Sequence, residues 1–309
     1  MKKPGFLAHF RSAGYRRSEV VYGYLFIAPF YLLFLIFQLY PMLWSLVLSF
    51  YDWNGIGPKT FVGLQNYAAV LRDPMFWDAM VNTFWYLAVN LIFILPLSVL
   101  LGQLLCAKGL RGRRAHKTIQ MLPYITSTAA AGIIFGMLFD VNIGVVNDML
   151  QALGLPAIPW LTSIEWSKVP VMVLSIWRNT PWYMLIVMSA MLGVDANLYE
   201  AARIDGANAF QRMIYITLPA VRPTLFFNLI NLTIDSARIF TEPYILTSGG
   251  PGTSSLSVVQ YLYESGFTSF KLGYASAIGY VLTLVLLAVS VLYFMELRRQ
   301  NKEDQHGPN

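Results

Sequence analysis

Six long stretches with few or no charged residues limit what this chain can fold into. The sequence carries no charge from Val20 to Tyr51, and none from Ala79 to Ala107. An α-helix rises 1.5 Å per residue, so about 20 apolar residues cross a hydrocarbon core of about 30 Å. The pattern predicts an all-α integral membrane protein with six transmembrane helices. The predicted spans cover about residues 22–43, 82–106, 118–139, 170–193, 217–240 and 272–295.

The composition excludes the soluble classes of protein. Only 12% of the 309 residues are charged and 56% are hydrophobic, whereas about a quarter of an average soluble domain is charged. The single cysteine, Cys106, and the scattered histidines His9, His116 and His306 offer neither a disulfide framework nor a clustered metal site. The sequence therefore predicts no metal and no cofactor on this chain. Apolar runs separate the basic clusters, which argues against nucleic-acid binding.

The positions of the basic residues predict the orientation of the chain. Of the 22 Lys and Arg residues, 16 lie in four segments, 1–20, 108–117, 195–222 and 296–309. Because basic loops are retained in the cytoplasm, both termini are predicted to be cytoplasmic. This divides the chain into a cytoplasmic N-terminal segment 1–21, a transmembrane domain 22–295 and a cytoplasmic tail 296–309.

A basic cluster lies between the second and third predicted spans. We interpret it as a topology determinant, with binding of an anionic lipid or a nucleotide as the alternative. No G-x-x-x-x-G-K-[ST] motif occurs in the chain, so the sequence offers no ATP site of that type. The cluster consists of Lys108, Arg111, Arg113, Arg114 and Lys117.

The segment from Asn197 to Pro223 is too structured for a plain connector. Apolar and polar residues alternate at helical spacing from Leu198 to Ile204, and again from Ala207 to Ile216. Asp205-Gly206 predicts a break between them, because glycine can adopt the positive φ that ends a helix. The prediction is a cytoplasmic helix-turn-helix elbow, with Pro219 and Pro223 ending it and redirecting the chain. It is typical either of a surface that docks another protein or of an amphipathic helix at the lipid headgroups.

The elbow carries a pattern typical of one transport family. Glu-Ala-Ala is followed by Gly-Ala and, after a fixed gap, by Ile-x-Leu-Pro, and it resembles the cytoplasmic loop of permease subunits in binding-protein-dependent ABC importers. The resemblance spans roughly residues 20–295 and is to the carbohydrate-uptake branch. The loop Gly249-Gly250-Pro251 is similar to that of the first subunit of maltose transporters. The residues that carry the elbow pattern are Glu200, Ala201, Ala202, Gly206, Ala207, Ile216, Leu218 and Pro219.

The resemblance implies a division of labour between subunits. The helix from Glu200 to Ala207 would couple this chain to an ATPase, with Glu200 and Asp205 as polar contacts, Arg203 at a charged edge and Gly206 as the turn. Two ATP-binding subunits would use ATP and Mg, a second permease subunit would complete a heterodimer, and an extracytoplasmic protein would deliver the solute. The location would be the bacterial-type inner or plasma membrane, in contact with lipid.

Sugars present polar rims and apolar ring faces, so polar and aromatic residues within the spans are candidates for the translocation pathway. Span two offers Trp85, Tyr86 and Asn90, span four offers Trp177, Arg178 and Asn179, and span five offers Asn228 and Asn231. Most aromatic residues in such a chain serve packing or the membrane interface. The sequence predicts the class of pathway residue, but neither the solute nor the residues that contact it.

Charges within the spans leave alternatives open. Asp235 and Arg238 are three residues apart and can pair on one helix, whereas Arg178 has no partner within its own span. An ion-coupled secondary transporter that uses Asp235 or Glu242 is the alternative function, although no duplicated half is visible. An intramembrane enzyme lacks a nucleophile, base and metal-ligand set. The elbow favours the transport subunit.

Overall fold

The computed structural model describes residues 17–305 apart from residue 108, and it is mostly helical. Residues 1–16 and 306–309 of the predicted terminal segments, and Lys108 of the basic cluster, lie outside the described residues. One short antiparallel pair of strands, β1 (Tyr51–Asp52) and β2 (Thr60–Phe61), joins the first helices. The helices are α1 (Arg17–Phe34), α2 (Tyr40–Leu48), α3 (Gln65–Arg72), α4 (Pro74–Cys106), α5 (Arg113–Ile125), α6 (Thr128–Leu138), α7 (Val145–Ala152), α8 (Lys168–Leu192), α9 (Ala196–Ile204), α10 (Ala209–Arg212), α11 (Leu218–Ala237), α12 (Thr241–Leu246), α13 (Val258–Tyr263) and α14 (Leu272–Gln305).

Within the described residues, four helical stretches are each long and apolar enough to cross a membrane. They are Val21–Leu48, Pro74–Cys106, Ala209–Leu246 and Leu272–Met295. Two bent helix pairs bring the number to as many as six if each pair counts as one span. Helix α14 continues past the predicted end of span six, so the first part of the predicted tail is helical.

Predicted span three is not one straight helix. It is divided into α5 and α6, which meet at 90°. Pro123 has no backbone N–H to continue the helical ladder, and Thr126 and Ser127 adopt extended ψ values of 141° and 127°. The third apolar stretch is therefore a broken span, which hydropathy alone could not distinguish from a continuous one.

The prolines after the elbow do not stop the chain, which corrects the prediction made for Pro219 and Pro223. A π-helical turn, Met213–Thr217, joins α10 to α11, and Leu218 N–H bonds to the carbonyl of Met213. This wider turn accommodates the ring of Pro219, which would clash with the preceding turn of a regular α-helix. The helical rod therefore continues from Ala209 through Pro219 and Pro223 to Ala237, and residues 238–240 separate it from α12.

The centre of the fold is the packing of α4 against α8 and of α11 against both. Ile94, Tyr183 and Leu232, one from each helix, are buried together with at most 1% of their surface exposed. In a bilayer such contacts stabilise by van der Waals packing, because lipid tails are as apolar as the side chains. By contrast, the Val21–Leu48 stretch has none of its most apolar part buried, so lipid or another subunit must cover it.

A carboxylate connects the start of α4 to α13 and to the start of α14. Asp73 accepts hydrogen bonds from the hydroxyl of Tyr261, from the hydroxyl of Tyr274 at 2.6 Å and from the backbone N–H of Met75 at 2.9 Å. Burial raises the pKa of Asp73, but the bonds from Tyr261, Tyr274 and the backbone outweigh it, and the pKa lies below its ordinary value. The charged form is therefore the one that the fold stabilises.

We expect Asp73→Ala to lower the free energy of unfolding by about 1–2 kcal/mol, because α4 loses its N-cap. Since the folded pKa is lowered, the contribution is complete above the unfolded value of about 4 and disappears as pH falls through the folded value. Thermal unfolding in detergent at pH 7 and at decreasing pH measures it. Asp52→Ala, at an exposed strand position, is the control. Equal effects of the two variants would contradict the network.

Candidate functional site: a central polar cavity and a cytoplasmic elbow

A cavity of about 320 Å³ lies where α4, α8 and α11 meet the start of α12. Such a volume falls within the range of small-molecule sites. Both polar and aromatic side chains reach it from four helices and from the bend between α5 and α6. The lining residues are Asn90, Tyr124, Thr128, Ser175, Arg178, Asn179, Trp182, Tyr183, Leu232, Asp235, Ser236, Arg238, Ile239, Phe240, Thr241 and Glu242.

One wall of the cavity is a hydrogen-bonded network across three helices. Asn90 donates to the hydroxyl of Ser236 at 3.0 Å and accepts from the hydroxyl of Ser175 at 3.2 Å. The amide of Asn179 donates to the Ser175 carbonyl at 2.9 Å. Asn90 is only 2% exposed, so its amide is fixed by these bonds. The wall is a preorganised set of donors and acceptors.

The charged residues of the cavity interact with residues on other helices. Tyr183 donates to Asp235 at 2.7 Å, so the partner of Asp235 is on α8 and is not Arg238 of its own helix. Arg178 lies close enough to Glu242 for an electrostatic interaction, and Glu242 is 7% exposed. The Nε of Arg178 is buried without a hydrogen-bond partner among the described residues. The sequence could not identify these partners, because they lie on different helices.

Two aromatic rings form a stacked pair on the cavity wall. The ring centroids of Tyr124 and Trp182 are 5.2 Å apart, and the ring planes differ by 13°. Trp182 keeps 39% of its surface exposed. A flat, partly open ring next to hydrogen-bonding groups suits the apolar face of a pyranose ring.

The structure brings together some of the predicted pathway residues and not others. Asn90, Arg178 and Asn179 line the cavity. The others lie outside its lining, and each described bond or ring contact is structural. Tyr86 donates to the Ser255 carbonyl, Asn228 to the Tyr183 carbonyl, Asn231 to the Phe227 carbonyl, Trp177 packs on Phe135, and Trp85 lies below the ammonium of Lys168.

The spacing of residues along α8 could have predicted more of the cavity lining. Residues at spacings of three, four and seven share one face of a helix. Starting from Ser175, that rule selects Arg178, Asn179 and Trp182, all of which line the cavity. Glu242 carries no such signal, because α12 follows a break in the helix.

The loop after α12 is fastened to α4. Asn82 donates to the carbonyls of Thr253 at 2.7 Å and Leu256 at 3.0 Å. Gly249 has a φ of +81°, and a Cβ there would lie 2.7 Å from the amide nitrogen of Gln260. The glycine is required both by its backbone conformation and by the close approach.

The elbow is built from two complementary caps. The N–H of Ala207 bonds to the Ala202 carbonyl at 2.8 Å, and the N–H of Gly206 bonds to the Arg203 carbonyl at 3.1 Å. With Gly206 at a φ of +80°, this is a Schellman motif that ends α9. Asn208 and Gln211 then form a reciprocal capping box that begins α10. The turn is therefore rigid.

The surface of the elbow combines apolar and charged residues. Ile204 is 88% exposed and Phe210 is 74% exposed, and Glu200, Arg203 and Asp205 are also exposed. Ala201 is exposed, whereas Ala202 and Ala207 are half-buried, so small side chains surround the turn. Ile216 and Leu218 are half-buried and Pro219 is exposed where the rod begins.

Comparison with known proteins identifies the family. The model of the binding-protein-dependent transport system inner membrane component family matches residues 24–301. The chain belongs to this family. It is thus a multi-pass permease component of an inner membrane, and its family is one of transport subunits rather than enzymes.

Relatives of this permease are similar over almost their whole length. The lactose transport system permease protein LacF of Rhizobium radiobacter is 35% identical, over 92% of this chain and 97% of the relative. AraP of Bacillus subtilis, an arabinooligosaccharides transport system permease protein, is 37% identical over 89% and 88%. MalF of Thermococcus litoralis, a trehalose/maltose transport system permease protein, is 32% identical over 94% and 97%.

A solved structure has the same fold as the permease. A chain of a bacterial alginate ABC transporter, crystallised with its alginate pentasaccharide-bound periplasmic protein, superposes with a TM-score of 0.80. It is 25% identical, and the match covers 93% of this chain and 96% of that chain. These matches confirm the predicted family and its carbohydrate branch. They give no support to the ion-coupled alternative.

Proposed function

We propose that this permease forms half of the translocation pathway for a sugar, with the central cavity as the place where the sugar is held. The stacked Tyr124–Trp182 pair beside the network of Asn90, Ser175 and Asn179 carries this proposal. The names of LacF, AraP and MalF, which refer to lactose, arabinooligosaccharides and trehalose/maltose, support a saccharide as the solute. The solute moves by alternating access and undergoes no bond chemistry.

The proposal includes the arrangement in the membrane. Six spans cross it, with the bent pair α5 and α6 as the third and α8 alone as the fourth, and both termini and the elbow lie in the cytoplasm, with the permease domain at 22–295. The excess of Lys and Arg in the segments assigned to the cytoplasm supports this orientation.

The partners in this proposal are a second permease subunit, two ATP-binding subunits that use ATP and Mg, and an extracytoplasmic solute-binding protein. The elbow docks on an ATP-binding subunit through Ile204 and Phe210, with Glu200, Arg203 and Asp205 as polar contacts. A rigid turn with exposed apolar side chains supports docking, because it presents a fixed shape to a cleft. Closure of the ATP-binding subunits then selects one of two conformations of the permease.

Trp182→Ala tests the sugar pathway. We expect it to reduce ATP-dependent uptake by roughly tenfold, because loss of an aromatic stacking surface costs about 1–1.5 kcal/mol. Uptake is measured in vesicles that hold the permease, its partner subunits and internal ATP, with the binding protein outside.

Trp177→Ala is the matched control for Trp182→Ala. Trp177 is on the same helix and 41% exposed, compared with 39% for Trp182, but it does not line the cavity. It should retain uptake within about twofold. Equal losses in the two variants would contradict the assigned pathway.

A further inference from the structure

A notch of about 400 Å³ opens where three helices end or begin on the same side of the fold. Helix α4 ends at Cys106, α5 begins at Arg113 and α8 ends at Leu192, so the notch lies at a boundary of the apolar layer. Its apolar residues are Leu105, Met188 and Leu192, and its basic residues are Arg113, Arg114 and Lys117.

No acidic residue nearby in the sequence compensates the positive charges around this notch. No Asp or Glu occurs between Asp78 and Asp140. Arg113 donates to the Ala107 carbonyl at 3.0 Å and so completes the end of α4. In the described part of the chain, the side chains of Arg114 and Lys117 have no hydrogen bond or ion pair.

The basic residues also lie at the N-terminal end of a helix, where positive charge is unfavourable. The N-terminus of a helix carries a partial positive charge, so cations in its first turn are unfavourable. Helix α5 nevertheless begins with Arg113 and Arg114, has no acidic residue in its first turn, and receives no side-chain cap from Gly112. An anion bound at this position would compensate the unfavourable positive charge and accept hydrogen bonds from the free backbone N–H groups.

We propose that the notch binds an anionic phospholipid, with the phosphate held by Arg114 and Lys117 and an acyl chain packed on Leu105, Met188 and Leu192. The basic side of the notch complements the charge of a phosphate group. The apolar floor favours a lipid over free phosphate, because free phosphate has no apolar part to pack there. Basic pockets between transmembrane helices on the cytoplasmic side are typical binding places for such headgroups. This site is independent of the transport pathway and adds to the role of the cluster in topology.

The test measures lipid retained by the assembled transporter. The complex is purified in detergent, stripped of lipid, given phosphatidylglycerol or phosphatidylcholine, and the bound lipid is counted by native mass spectrometry. We expect preferential binding of phosphatidylglycerol. Arg114→Gln/Lys117→Gln should weaken it about 25-fold, because each basic residue near a membrane surface contributes about fivefold, or about 1 kcal/mol.

Arg111→Gln is the control, because it removes one positive charge from the loop just before α5 but does not line the notch. It should change binding by less than about twofold. Leu192→Trp fills the notch without changing its charge and should also displace phosphatidylglycerol, which keeps the test valid if the double variant fails to assemble. Equal binding of phosphatidylcholine, an equal loss in Arg111→Gln and the double variant, full competition by inorganic phosphate, or unchanged binding in Leu192→Trp would overturn the proposal.

Discussion

Replacing Gly206 by proline is expected to abolish ATP-driven uptake while leaving the permease in the membrane. Gly206 has a φ of +80° and donates its N–H to the Arg203 carbonyl. Proline is restricted to a φ of about −65° and has no N–H, so the Schellman motif cannot form. A free-energy cost of about 3 kcal/mol at this turn corresponds to a decrease of more than about 100-fold in the uptake rate. Uptake rate and copurification of the ATP-binding subunit measure the effect.

The chain provides a matched control for this variant. Gly154 has a φ of +76° and donates its N–H to the Gln151 carbonyl at 2.9 Å. A Cβ added at Gly154 would meet no atom within 4 Å, and the same is true of Gly206. Gly154→Pro should therefore cause the same local strain in another loop, yet keep the ATP-binding subunit bound. If Gly206→Pro transports normally, the elbow is an interfacial helix and not a coupling surface.

Replacing Glu242 by leucine is expected to destabilise the permease by about 2 kcal/mol. Arg178, whose Nε already has no hydrogen-bond partner among the described residues, would then lose its acidic neighbour, and a buried polar group left unsatisfied costs about 1–3 kcal/mol. The yield of folded protein from membranes and the thermal unfolding midpoint in detergent should both fall. Arg178→Leu should have a similar effect.

The double variant distinguishes this interaction from simple crowding or loss of volume. When Glu242 and Arg178 are both replaced by leucine, no unpaired charge remains, so stability should recover most of the loss. Additive losses in the double variant would show that the two residues act independently. Transport by the double variant then reports separately whether the charges contact the solute.

The sequence predicted the membrane fold well, because the cost of placing unsatisfied polar groups in lipid allows few solutions. Hydropathy located the four continuous helical stretches, and it marked the region of the two bent pairs. It could not predict the 90° bend after Ile125, since Thr126 and Ser127 are no more polar than residues within helices. It also could not predict that a π-turn would carry the helix past Pro219.

The cavity was only partly predictable. Asn90, Arg178 and Asn179 were found because polar residues within apolar spans are expensive and therefore informative. The pairing of Tyr183 with Asp235 joins residues 52 apart in the sequence, and the approach of Arg178 to Glu242 joins two helices. Such contacts depend on how the helices pack against one another, and the periodicity within one helix does not predict that packing.

The helical rod from Ala209 to Ala237 has a mechanical consequence. It contains 29 residues and so extends about 43 Å, from the elbow at one end to Asp235 and Ser236 in the cavity at the other. Its longer part, α11, packs against α4 and α8. Because a helix that is hydrogen-bonded along its length does not shorten, a push on the elbow along the rod would displace the cavity end by the same distance.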